Sequence, residues 1–210
     1  MSMEYIGLAK GNGKAVFLIS ARKIEVLAGQ LQLPCPRFVL LLMQDATNRN
    51  EQLPETLGQL LDAGCVAFCA WGPECEQVHD IMDDVIIARD LDRQAATILT
   101  TWHDDEPFDE TLDYAVMWPA LDDNYADGCD AVIVANIGGV ADPDELHRML
   151  HERVSPARGI EPGHRSLARC EGSPHFQSAG RQSMKIVAGF SIRSFSAWII
   201  AAASKPSTKR

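Results

Sequence analysis

Short apolar runs rich in branched residues alternate along this chain with amphipathic segments that open at a proline, and few architectures accept that alternation. The prolines stand in Leu53-Pro54-Glu55, Gly72-Pro73-Glu74, Glu106-Pro107 and Asp142-Pro143-Asp144. Proline suits the first helical position, where its missing N–H has no partner to lose, and nearby carboxylates favour the positive end of the helix dipole. Apolar residues then recur at helical spacing: Leu57, Leu60 and Leu61; Val78, Ile81 and Met82; Phe108, Leu112 and Val116; Leu146, Met149 and Leu150. Four helices, each with one buried face, are predicted.

Between and beside these helices lie the apolar runs 38–43, 65–71, 85–88, 98–101 and 131–135. Strands that are almost continuously apolar are covered on both faces. The expected fold is therefore α/β, with a doubly wound, mostly parallel five-strand sheet of Rossmann-like or flavodoxin-like layout. Residues 15–20 predict a further strand and 24–33 a helix, set apart by Pro34-Cys35-Pro36. Residues 1–36 are read as an N-terminal extension and 37–153 as the α/β domain.

Charge marks a second division. Residues 1–152 carry 9 Lys and Arg against 27 Asp and Glu, a balance of −18, whereas residues 153–210 carry 10 against 2, a balance of +8. Serine follows the same line, with only Ser2 and Ser20 before residue 153. Residues 154–210 thus read as a basic, Ser-rich tail, partly disordered, with a helix at 186–203. That run reaches ~27 Å as a helix against ~30 Å of hydrocarbon and holds Arg193 near its middle, so spanning is disfavoured and membrane contact by the tail is a minor alternative. The acidic domain is not expected to bind nucleic acid. Met1-Ser2-Met3-Glu4-Tyr5 leads into no basic and apolar targeting pattern, and the six cysteines are not needed as staples in a chain this apolar, so free thiols and a cytoplasmic location are expected.

In an open parallel sheet, ligands bind beyond the carboxyl ends of the strands. The polar residues following the runs are therefore the informative ones: Gln44 and Asp45, then Trp71 and Glu74, then Trp102, His103, Asp104, Asp105 and Glu106, then Asn136, Gly138 and Gly139. His103 beside three carboxylates has the composition of a metal site or of a general base. The same carboxylates before Pro107 also make a good helix cap, and neighbours in sequence seldom all face one ion, so no metal is assigned. Cys75 and His79 are four apart on a predicted helix and share a face, although Glu74 and Glu76 oppose a thiolate at Cys75. The ligand-site candidates are Asp45, Trp71, Glu74, Cys75, His79, Trp102, His103 and Asp104.

Other pairings carry less. Cys65 and Cys69 lie on a predicted strand, where four residues separate them by ~13 Å, and read as core thiols. His147 and His151, four apart on the last helix, read as polar-face residues. Gly11-Asn12-Gly13-Lys14 lacks the spacing of a phosphate loop and reads as a turn, and Gly138-Gly139 alone is a weak dinucleotide signal. No cofactor is expected.

The segments Cys69-Ala70-Trp71-Gly72-Pro73-Glu74-Cys75-Glu76, Val78-His79-Asp80 and Thr100-Thr101-Trp102-His103-Asp104-Asp105-Glu106-Pro107 are similar to those of a small uncharacterised bacterial α/β domain family, over residues 37–139. The resemblance implies an α/β fold and transfers no catalytic residue. The expected function is non-catalytic binding of a small ligand or protein partner at the C-terminal edge of the sheet. The alternative is a metal-assisted hydrolase using His103 with Asp104 or Asp105, with Cys75 as a candidate nucleophile.

Overall fold

The computed structural model describes residues 3–28, 31, 35–44, 51–89, 97–117, 121–126 and 128–155. These all belong to the first of two units, Met1–Leu167. Asp45 and the helix expected at 186–203 lie outside the described residues. In chain order the strands are β1 (Met3–Ala9), β2 (Ala15–Ala21), β3 (Arg37–Gln44), β4 (Cys65–Trp71), β5 (Leu99–His103), β6 (Cys129–Ile137) and β7 (Val154–Ser155). The helices are α1 (Glu25–Ala28), α2 (Leu53–Asp62), α3 (Cys75–Ala88), α4 (Phe108–Met117), α5 (Asp123–Ala126) and α6 (Pro143–Arg153).

The strands form one seven-stranded sheet in the order β5-β4-β3-β6-β2-β1-β7. Neighbours from β5 to β2 pair in parallel, and β1 pairs antiparallel with both β2 and β7. The expected five-strand, mostly parallel sheet is corrected on this point: the sheet is mixed and has seven strands. Residues 1–36, read as an extension, supply two of them. Residues 85–88, expected as a strand, are instead the last turn of α3. The reason is periodic. Val78, Met82 and Ile86 recur every four residues and are buried, while Ile87 is 63% exposed, which suits a helix and not a strand covered on both faces. The helix expected at 24–33 is described only as the four residues of α1.

All four prolines stand at or just before helix starts. Pro54 and Pro143 occupy the first turns of α2 and α6, Pro73 lies two residues before α3, and Pro107 directly precedes α4. Asp142 caps α6, its side chain accepting hydrogen bonds from the Asp144 and Glu145 N–H groups. Such a cap contributes about 1 kcal/mol.

The sheet separates two apolar layers. One holds Phe38, Leu40 and Leu42 of β3 with Leu57 and Leu60 of α2 and Val78 and Met82 of α3. The other holds Val39, Leu41 and Met43 with Leu112 and Val116 of α4 and Leu146 and Leu150 of α6. Strand alternation assigns each side chain to its layer, and complete burial of a Leu or Phe contributes roughly 1.5–3 kcal/mol.

Strand order reverses next to β3. From β3 the chain runs outward through β4 to β5, then returns on the other flank as β6. In open α/β sheets ligands are held at the carboxyl ends of the strands flanking such a reversal, here β3 and β6.

Candidate functional site

Two tryptophans mark the carboxyl ends of β4 and β5, and both lie at the same end of the sheet. In the parallel register Ala70 pairs with Trp102 and Trp71 with His103. That one-residue offset sends the tryptophans to opposite faces. Trp71 packs at 4.7 Å, ring to ring, on Phe108 of α4, whereas Trp102 packs at 4.6 Å on His79 of α3. The residues singled out in the sequence therefore form two groups, one on each face.

On the α4 face, His103 is buried and held at both ring nitrogens. Nδ1 lies 2.7 Å from Glu106 Oε2 and Nε2 lies 3.1 Å from Thr101 Oγ1. Its ring packs 5.0 Å from that of Tyr114. Thr101 also hydrogen-bonds Tyr114 and Cys69, and burial pushes the Tyr114 hydroxyl pKa up. Trp71 Nε1 donates to the Glu106 carbonyl at 3.3 Å, which fixes the turn between β5 and α4. Glu106, not Asp104 or Asp105, is thus the carboxylate that meets His103. Asp104 and Asp105 are exposed, and Asp104 Oδ1 accepts from the Asp105 N–H.

On the α3 face, His79 is buried, with Nδ1 at 3.1 Å from Asp80 Oδ1 and Nε2 at 3.6 Å from Asp83 Oδ2. Thr100 donates to Asp83 at 2.7 Å, tying β5 to α3. Cys75 is buried at the start of α3; desolvation raises its thiol pKa, against a hydrogen bond from the His103 backbone. A buried thiol held protonated is a poor nucleophile. Glu74 is exposed and takes the left-handed conformation, φ 60°, that few residues with a Cβ adopt. Nearby Gly72 has φ 114°, and a Cβ there would stand 3.1 Å from the Gln44 carbonyl oxygen, so the close approach of this turn to β3 requires glycine.

The strand-order reversal brings together a different set. Ala21, Ile137 and Gln44 form one row across β2, β6 and β3 at the carboxyl edge. Gln44 is 4% exposed, and both its side-chain amide atoms are buried without a hydrogen-bond partner. Asn136, one residue back on β6, is buried too but satisfied: its Nδ2 donates to the Ala141 carbonyl at 2.8 Å and its Oδ1 accepts from the Ala141 N–H at 3.3 Å. These bonds hold the loop into α6 in place. Gly138 and Gly139 follow with φ of 80° and 77°, and the Gly138 N–H donates to the Ala21 carbonyl. A concavity of about 330 Å³ lies on the α6 face of this edge, lined by Ser20, Ala21, Arg22, Asn136, Gly138, Gly139 and Pro143; Gln44, in register with Ile137, belongs to the opposite face. Gln44, Asn136, Gly138 and Gly139 were legible as residues that follow strands. Ser20 and Arg22 were not, because residues 15–20 read as a further strand in an N-terminal extension and not as part of the α/β domain.

A larger concavity, about 450 Å³, lies between α4 and α6, but its two guanidinium groups are engaged: Arg148 by Glu145 and Glu152, Arg153 by Asp113. Among the described residues no three His, Cys, Asp or Glu side chains converge in a way able to hold a metal ion. His147 and His151 stack at 5.2 Å, and His147 Nε2 lies 3.0 Å from Glu4 Oε2. The described cysteines, Cys35, Cys65, Cys69, Cys75 and Cys129, are free thiols. No helix of the described residues is long and apolar enough to cross a membrane.

An α/β sheet with polar residues gathered where its strand order reverses defines a class of domain. Within that class the chain belongs to the family described as Domain of unknown function (DUF7684), which it matches over residues 17–153. No curated protein and no solved structure matches it.

Proposed function

We propose that this domain binds a small polar ligand at the carboxyl edge of its sheet, where β3, β6 and β2 end side by side, without transforming it. One observation carries the reading: the Gln44 side chain, buried with neither amide atom partnered. An unsatisfied buried amide costs roughly 1–3 kcal/mol, and native interiors rarely keep one without a use. A ligand that offers one donor and one acceptor removes that cost on binding. The reading is Rossmann-like in the position of the site, at a reversal of strand order, and not in any dinucleotide motif. A cytoplasmic location belongs to it as well, because the described cysteines are free.

Thermal unfolding of the full chain against a panel of small amides, alcohols and organic acids tests it. Compounds that raise Tm should do so in the native chain and lose the effect in Gln44→Leu. Equal shifts in both proteins would remove Gln44 from binding and end the proposal.

A second reading, hydrolysis by His103 with a nearby carboxylate, draws on the alignment of Glu106, His103 and Thr101, a carboxylate–imidazole–hydroxyl order that can activate a nucleophile. It ranks second because the imidazole is buried and Thr101 is shared with Cys69 and Tyr114, an arrangement that also serves to pin α4 to β5. Turnover of activated esters that vanishes in Glu106→Gln while the fold persists would raise it to first place. Loss of stability alone would assign the network to structure.

A further inference from the structure

We propose that the ligand of this edge is an anion, and that Arg22 and Lys23 hold its carboxylate or phosphate group above the Gly138-Gly139 turn. The inference rests on the edge-binding reading and specifies its chemistry.

Basic side chains are scarce in this acidic domain, and most of the described ones are engaged. Lys10 donates to the Glu152 carbonyl, Lys14 to that of Cys129 and Arg37 to that of Asn124. Arg89 pairs with Asp62, Arg148 with Glu145 and Glu152, and Arg153 with Asp113. Among the described residues, Arg22 and Lys23 are the basic side chains with no hydrogen bond or ion pair. Both are exposed and follow directly on β2, so they stand at the carboxyl edge. Arg22 lines the same concavity as Ser20, Gly138 and Gly139.

A balance of −18 over residues 1–152 repels anions in general, so a site for one needs local cations. Arg22 and Lys23 provide them. The arginine fork matches the two oxygens of a carboxylate or phosphate, and the lysine adds a movable point charge. A turn built of two glycines has no side chain to keep an oxyanion from the backbone. Two carboxylates limit the attraction: Glu25 begins α1 just beyond Lys23, and Asp142 lies beside Pro143, although the Asp142 side chain is engaged by the first N–H groups of α6. A lone oxyanion is therefore expected to bind at ~1–10 mM.

The test is amide chemical-shift titration of the full chain with sodium phosphate and, separately, sodium malonate, at constant ionic strength. Acetamide serves as a neutral probe. Phosphate, malonate or both should shift the Arg22, Gly138 and Gly139 amides, with at least tenfold weaker binding in the Arg22→Ala/Lys23→Ala variant. The anion that acts tells a phosphate ester from a carboxylate. Shifts that persist in the double variant, or that chloride reproduces, would overturn the inference. If acetamide moves the Gln44 side-chain amide while both anions leave the edge unchanged, the anion assignment fails and the edge-binding reading stands. If no probe moves the edge, both fail.

Discussion

Gln44 on β3 lies in register with Ile137 on β6, and across that pair a buried, unpartnered amide meets the end of an otherwise apolar strand. Function and stability then compete at one side chain. Gln44→Met keeps the approximate volume and removes the unsatisfied amide, so it should raise the free energy of unfolding by about 1 kcal/mol. Urea denaturation reads the change. A loss of stability of similar size would mean that the amide already has a partner in solution.

The loop that carries Gly138 and Gly139 ends at the cap of α6. Asp142→Ala leaves the Asp144 and Glu145 N–H groups without their side-chain acceptor and should cost about 1 kcal/mol, whereas Asp142→Ser should recover most of it. Equal stability of the alanine and serine variants would show that solvent serves these donors equally well.

Two buried thiols set an alkaline limit. Burial pushes Cys69 up from 9.0 to about 12, against a hydrogen bond from Thr101, and burial raises Cys65 as well. A folded-state pKa above the unfolded value contributes stability that is complete below about pH 9 and is lost as pH rises toward 12. Unfolding free energy should therefore fall above about pH 9, by up to ~1.4 kcal/mol per pH unit for each such thiol. In Cys69→Ala that slope should flatten, which a cavity effect alone does not produce. An unchanged slope would show that the thiol ionises freely in the fold.

His103 and Glu106 join the end of β5 to the turn before α4. Glu106→Gln removes the charge from that contact and keeps its shape, and His103→Ala removes both. The buried network predicts a loss of about 1 kcal/mol for the first and about 2–4 kcal/mol for the second, measured by thermal unfolding. Losses below ~0.5 kcal/mol in both variants would contradict a structural role and favour the hydrolytic reading.

Local chemistry made much of this fold legible. Each proline with its carboxylates announced a helix, and the branched runs at 38–43, 65–71 and 131–135 are strands, because those signals act within a few residues. The run at 85–88 misled because a short apolar stretch at the end of a helix has the same composition as a buried strand. The division of the candidate site was hidden for another reason. Trp71 and Trp102 each stand at the carboxyl end of a strand, but the face each occupies depends on pairing register, which lies between strands and not within either. Arg22 and Lys23 escaped notice because only the sheet order, with β2 beside β6, turns an N-terminal segment into one wall of the carboxyl edge.

A crystal structure of the full chain soaked with small amides and organic acids decides whether the Gln44 side chain is a ligand-binding group. A bound fragment hydrogen-bonded to the Gln44 side chain at the carboxyl end of β3 is expected. A Gln44 amide satisfied by the protein's own chain, with no fragment in hydrogen-bond reach of it, would contradict the account.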